Sequence, residues 1–254
     1  DVYKRQGNYS YDSRYYATFT GRWDGSSKFA QGHRWGFFPS FSLAWDITNE
    51  HFFPKLPQIN QIKLRGGYGV VGNQDIGDFM YATLYSPPAP SNTTPSYGTD
   101  GRRGTPDITW EKQKQTNIAL DMSFFNRQLN VTVEGYFINN SNLLRSHSLP
   151  NTSGYTYTVE NVGELQNRGM DLTIEATPIR NQDWTWNISA NLGFDRNKVT
   201  KLYGNVDRIL GSWRWDNTFV GESLSNIYTL KAGGIANEWN RSEWEGIDYN
   251  GRTI

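Results

Sequence analysis

Cysteine is absent from the 254 residues, which excludes disulfides, thiolate metal sites and cysteine nucleophiles. Charge of one sign is absent too. Lysine plus arginine number 25 and aspartate plus glutamate 25, with no like-charge run, so no field is available to hold nucleic acid. No apolar stretch approaches the ~18 residues of a membrane-spanning helix. The mean hydropathy is -0.70 and only 36% of residues are hydrophobic, a low share for a globular chain. Helical periodicity is missing as well. What is plentiful is aromatic: 10 Trp, 15 Tyr and 13 Phe make up 15% of the chain. Such a chain is too polar for a large core and too aromatic for disorder.

Period two resolves that tension. From Trp35 the odd positions read Trp35, Phe37, Pro39, Phe41, Leu43, Trp45 and Ile47, with Gly36, Phe38, Ser40, Ser42, Ala44 and Asp46 between them. The same alternation runs through Tyr15–Trp23, Ile62–Val70, Ile118–Phe124, Leu129–Phe137, Met170–Ala176 and Trp184–Phe194. Successive side chains of a strand point to opposite faces, so each segment is predicted as a strand with one apolar and one polar face. Arg22, Asp46, Lys63, Arg65, Asp121, Glu134, Asp171 and Glu175 all fall on the polar parity. Both an outer-membrane barrel with a wet lumen and a soluble sandwich fit that pattern. Aromatics at the strand ends (Trp23, Trp35, Trp45, Phe124, Trp184) favour the barrel, because such rings settle at lipid headgroups. The connections favour it too. Those at 12–13, 125–128 and 179–183 are tight, and 51–60 is a longer stretch stiffened by two prolines. The connections at 24–34, 72–109 and 141–167 are long and alternate with them, which puts all the long ones at one end.

Four groups of residues invite a chemical reading. Gly67-Tyr68-Gly69-Val70-Val71-Gly72 has dinucleotide-binding spacing, but no amphipathic helix follows to receive a pyrophosphate. It reads instead as a strand that lets neighbouring backbone approach. His33, His51 and His147 lie on separate loops without ligand spacing, so neither a metal nor a cofactor is expected. Asp121, Glu134, Asp171 and Glu175 could pair as glycosidase carboxylates, yet they suit a hydrated wall opposite Arg22, Lys63 and Arg65 as well, and no catalytic group is assigned. Tyr81, Tyr85, Tyr97, Tyr155, Tyr157, Trp213 and Trp215 decorate the long loops, where aromatic faces can stack on sugars or pack on peptides.

Several motifs resemble one family. Arg22-Trp23-Asp24-Gly25-Ser26-Ser27-Lys28-Phe29 is similar to a hairpin of SusC/RagA-type TonB-dependent outer-membrane transporters. Phe38-Pro39-Ser40-Phe41-Ser42-Leu43-Ala44-Trp45 resembles their next strand. Leu64-Arg65-Gly66-Gly67-Tyr68-Gly69-Val70-Val71-Gly72-Asn73-Gln74 resembles the following one, with Gly67 where the family has serine. Trp110-Glu111-Lys112 with Gln115 to Asp121, Asn161-Val162-Gly163-Glu164 with Asn167-Arg168-Gly169, and Asn197-Lys198-Val199 continue the series in order. The likeness runs from about Asn8 to Lys201 and thins beyond Tyr203, while Asp1–Gln6 match nothing and read as a non-native scar.

The resemblance implies an all-β fold: an antiparallel meander forming part of a large outer-membrane barrel, with residues 1–254 a partial barrel lacking plug and closure. It implies import of a bulky glycan, oligosaccharide or peptide, energised by the TonB complex acting through an N-terminal region, with no enzymatic activity. A SusD-like surface lipoprotein is the implied partner at the outer mouth of a Gram-negative, Bacteroidota-like cell. In that setting Lys112 and Lys114, on the apolar parity of β-segment 118–124 but beyond its hydrocarbon length, are expected to meet lipopolysaccharide phosphates. The alternatives are a soluble all-β carbohydrate-binding module and an outer-membrane barrel hydrolase.

Overall fold

The alternating segments are strands in the computed structural model, which describes residues 1–86, 98–210 and 217–227. In chain order they are β1 (Val2–Tyr11), β2 (Tyr15–Gly25), β3 (Trp35–Asp46), β4 (Ile59–Asn73), β5 (Tyr85–Ser86), β6 (Gly98–Thr99), β7 (Arg102–Arg103), β8 (Glu111–Phe124), β9 (Leu129–Ser141), β10 (Leu144–Ser148), β11 (Tyr157–Asn161), β12 (Glu164–Arg180), β13 (Thr185–Lys201), β14 (Arg208–Ile209) and β15 (Thr218–Phe219). The long strands form one eight-stranded antiparallel sheet in the order β1-β2-β3-β4-β8-β9-β12-β13. Short ladders fill the long connections. After β15 the chain returns beside β13, where Gly221 N–H donates to the Val199 carbonyl and Val199 N–H to that of Glu222.

Several strands are longer than the alternation. β8 begins at Glu111 because Glu111–Asn117 is polar on both parities and gives no periodic signal, although Glu111 to Gln115 pair with Asn73 to Gly69. Val2–Gln6, which match no motif, pair in register with Asp24–Thr20. The three-residue β1–β2 turn places Asp12 and Ser13 at φ 50° and 51°, in the left-handed region, with the Arg14 N–H donating to the Tyr11 carbonyl at 3.0 Å.

Register assigns the faces. Residues paired directly across an antiparallel ladder share a face, so Leu64, Leu120, Val133, Leu172 and Leu192 form one apolar row. Above it run Gly66, Ile118, Gly135, Met170 and Phe194, and below it Ile62, Met122, Val131, Ile174 and Ala190. Phe41 is 49% exposed, Leu43 57% and Ile188 42%, while Leu120, Val131 and Leu172 are half-buried. None of these six is buried beneath a second sheet among the described residues, as a sandwich would require.

The strands also tilt. The polar-face row through Tyr16, Ala44, Arg65, Ala119, Glu134, Asp171 and Gly193 starts one residue from the short-turn end of β2 and finishes eight residues from that of β13. At about 3.3 Å per residue and about 4.8 Å between strands, this climb is a tilt of roughly 40°. The apolar band follows the tilt. It covers Tyr15–Trp23 on β2, Ile62–Val70 on β4, Thr116–Phe124 on β8 and Trp186–Phe194 on β13. Each is about nine residues, the length a tilted strand needs to cross hydrocarbon. Arg5, facing outward with Gly21 and Pro39 between Tyr3 and Gly7, is the one charge inside that band among the described strands.

At the short-turn end, buried Glu50 binds the hairpin turn to the stretch after β3. It accepts hydrogen bonds from the Tyr15 hydroxyl, from Trp45 Nε1 at 2.9 Å and from Arg14 Nη1 at 3.2 Å.

Candidate functional site

The polar face carries a charge cluster at mid-sheet. Arg65 on β4 donates from Nε to Asp121 Oδ2 at 2.9 Å and from Nη2 to Glu134 Oε2 at 3.0 Å, bridging β8 and β9. Glu134 also accepts from Asn117 Nδ2 at 3.0 Å, and Asp121 from the Thr132 hydroxyl at 3.1 Å. Lys63 stands in the next row between Asp46 and Asp121, its ammonium 4.7 Å above the Tyr16 ring. Asp171 lies opposite Glu134, and Glu175 opposite Asn130. Arg22 sits further toward the long-loop end, paired with Asp24 at 2.9 Å and stacked over Phe38 at 5.7 Å. The eight polar-parity charges, Asp46 included, thus share one face, but of these only Arg65, Asp121 and Glu134 form a contiguous ion-paired group. Both carboxylates of that group are engaged by one guanidinium, a geometry for holding a wall together or meeting a hydrated solute.

A second assembly closes the long-loop end. β3 and β4 pair only from Ser40–Gly69 to Asp46–Lys63, so their upper ends splay. Phe38 fills the gap. It packs with Phe29, Ile108 and Trp110 in a fully buried aromatic core, its ring 5.3 Å from that of Trp110, with Val70, Ile76, Met80, Leu144 and Val159 around them. A Cβ built on Gly72 would overlap the Phe38 ring, so that glycine is required by close approach. The glycine-rich run makes room for side chains as well as backbone: a Cβ on Gly67 would come within 3.0 Å of the Asn117 side chain and 3.5 Å of the Phe41 carbonyl, and one on Gly66 within 3.5 Å of the Asn117 carbonyl. β4 continues through the motif to Asn73 and no helix follows, which removes the dinucleotide reading.

Hydrogen bonds fasten the three long loops to this core. Lys28 Nζ donates to the Ile76 carbonyl at 2.7 Å, and Trp110 Nε1 to that of Arg34 at 3.3 Å. Asn161 clamps Thr109, accepting its N–H and donating to its carbonyl, both at 2.7 Å. Buried Thr158 meets the Thr105 hydroxyl at 2.9 Å. Sequence reasoning missed this assembly, although an aromatic Phe38 on an otherwise polar parity was a visible signal for it.

The loop aromatics separate. Tyr81 is half-buried against the aromatic core, which makes it part of the loop scaffold. Tyr85 is 63% exposed on the β5–β6 hairpin, and Tyr155 and Tyr157 are half-buried around the start of β11. Tyr97, Trp213 and Trp215 lie outside the described residues. His147 Nε2 is 3.3 Å from Glu160 Oε2, with its ring stacked 3.7 Å from that of Tyr203, and His33 lies 3.9 Å from Asp107. Among the described residues no three metal-ligating side chains converge.

Comparison with known proteins matches this geometry to one group. The family described as "TonB dependent receptor-like, beta-barrel" matches residues 6–253. The TonB-dependent receptor SusC of Bacteroides thetaiotaomicron is 39% identical over 97% of the chain and 25% of its own length. TonB-dependent receptor P39 of Formosa agariphila is 37% identical over 92% of the chain and 22% of its own length. Among solved structures, the RagAB peptide importer in its closed-closed state superposes with a TM-score of 0.81 at 28% identity, over 87% of this chain and 24% of that one. The chain therefore spans about a quarter of the length of the proteins it matches.

Proposed function

Because the chain belongs to the TonB-dependent receptor β-barrel family, and within it is similar to SusC and RagA proteins, we propose that it is a section of wall in an outer-membrane importer. The observation that carries this reading is the eight-stranded sheet whose one face is charged and whose other face exposes an apolar band of crossing length. The apolar face lies against lipid, and Arg22, Lys63, Arg65, Asp121, Glu134, Asp171 and Glu175 face the lumen. The solute is bulky: a glycan, oligosaccharide or peptide. It passes when a plug supplied by the rest of the protein is displaced by the TonB complex, while a SusD-like lipoprotein covers the outer mouth. The long loops tied through Phe38 and Trp110 stand at that mouth, with Tyr85, Tyr155 and Tyr157 available to stack on the solute. No catalytic role is assigned, since Asp121 and Glu134 are both held by Arg65.

The test is uptake in cells carrying the full-length transporter. Growth on the polymer or peptide mixture that the neighbouring genes degrade should require both the transporter and an intact TonB complex. Uptake that persists without TonB would refute active import. Polymer hydrolysis by the purified transporter would install the barrel-hydrolase reading instead.

A further inference from the structure

Along one hydrogen-bonded row of the outward face the chemistry changes from aromatic to cationic. The row reads Phe19, Phe41, Tyr68, Thr116, Phe137, Arg168, Arg196 from β2 to β13. The tilt explains this, because the row climbs out of the hydrocarbon as it crosses the sheet. The next row up adds Lys114 on β8 and Lys198 on β13. All four cations are exposed, and none has an ion pair or side-chain hydrogen bond among the described residues. Arg168 and Arg196 are directly opposed, an arrangement that costs stability unless an anion lies between them.

Beside them is a cavity of about 730 Å³ floored by Phe137 and Gln166, walled by Arg168, Arg196 and Lys198, and closed by the returning segment at Gly221–Asn226. Two acids border it: Asp195 lies on the parity opposite to Arg196 and accepts the Tyr136 hydroxyl at 3.1 Å, and Glu222 accepts the Asn226 amide at 3.0 Å. Directly below, Met170, Phe194 and Leu192 are 57%, 64% and 70% exposed. Cations above and an open apolar track beneath match the two halves of one molecule.

We propose that Arg168, Arg196 and Lys198, flanked by Lys114, bind the phosphate of a phosphorylated outer-leaflet lipid whose acyl chains lie along Met170, Phe194 and Leu192. This rests on the assignment of the apolar face to lipid. Guanidinium forks suit phosphate oxygens, and cations at the headgroup level gain from anionic lipid. The Lys112 side chain, in the row above and half-buried beside the loop core, is left out of the site.

The experiment uses the delipidated full-length transporter, with monophosphoryl lipid A and its dephosphorylated counterpart as probes and retention read by native mass spectrometry. The wild-type protein should retain the phosphorylated lipid at least about tenfold better, three cations each contributing a few-fold. The R168Q/R196Q/K198Q variant should lose that preference while keeping the electrophoretic shift of a folded barrel. Equal retention of both lipids by the wild type would overturn the proposal, and this arm needs no variant to fold. Preference unchanged in the triple variant would overturn it equally. A spin label at position 192, tested for collision with oxygen against a water-soluble nickel complex, separates the failures. Oxygen access without nickel access leaves the lipid-facing sheet standing when the phosphate site fails; nickel access removes the sheet assignment itself.

Discussion

Leu120 and Asp121 are neighbours on β8 that point to opposite faces of the sheet, so one pair of substitutions tests which face meets lipid. Leu120 sits at the centre of the Thr116–Phe124 band, in a row with Leu64, Val133, Leu172 and Leu192, two rows from either edge. L120R places a cation at the hydrocarbon midplane, where an outward arginine costs about 2–4 kcal/mol. Asp121 faces the other way, with its side chain 31% exposed and Arg65 37% exposed. D121N removes one charge from Arg65 but leaves Glu134 at 3.0 Å, and an exposed pair of this kind contributes at most about 1 kcal/mol. The full-length transporter refolded into phospholipid micelles across a urea series, with folded fraction read from its gel shift, measures both. A loss for L120R several times that for D121N is expected, and I174R against T173K should repeat it one row away. Equal losses at both positions, or a larger one at Asp121, would refute the lipid assignment.

Phe38→Ala should remove about 3–5 kcal/mol from the loop core while leaving the lower ladders intact, seen as faster amide exchange in residues 26–34 and 105–110 only. Tyr85→Ala should lower solute uptake without changing stability, whereas Tyr81→Ala should lower stability first; paired uptake and melting measurements decide between them. Glu50 is held below the usual carboxylate range by hydrogen bonds from the Tyr15 hydroxyl and then the Trp45 indole. A depressed folded-state pKa means its contribution is complete above the ordinary glutamate value and is lost as pH falls through the lowered one. Protease nicking within residues 51–58 should therefore rise on acidification below the normal glutamate range, and already at neutral pH in Glu50→Gln.

Legibility in the sequence followed the environment of each segment. Where one face is apolar and the other polar, as in Met170–Ala176, every second residue is constrained and the strand is plain. Where neither face is apolar, as in Glu111–Gln115, the ladder continues but nothing forces alternation, so only hydrogen bonding reveals it. The Arg65 group was visible as polar parity, since pairing residues across β4, β8 and β9 needs only register. The loop core was not. It joins Phe29, Phe38, Ile108 and Trp110, and their union depends on how three connections fold over one splayed pair of strands. The packing of Tyr81 was hidden for the same reason: an aromatic on a loop looks alike in sequence whether it faces solvent or packs inward.

The slant of the strands has a mechanical side. A load applied along the membrane normal to a wall of upright strands would slide each strand along its neighbour, straining every ladder bond together. With strands leaning by roughly 40°, part of that load is turned sideways around the circumference and shared by neighbours on either side. The wall then answers an axial tug by a slight twist about its axis. Among the described strands, the splayed β3–β4 mouth is where two neighbours can part without breaking a ladder bond, and the packed Phe38 ring is what fills it.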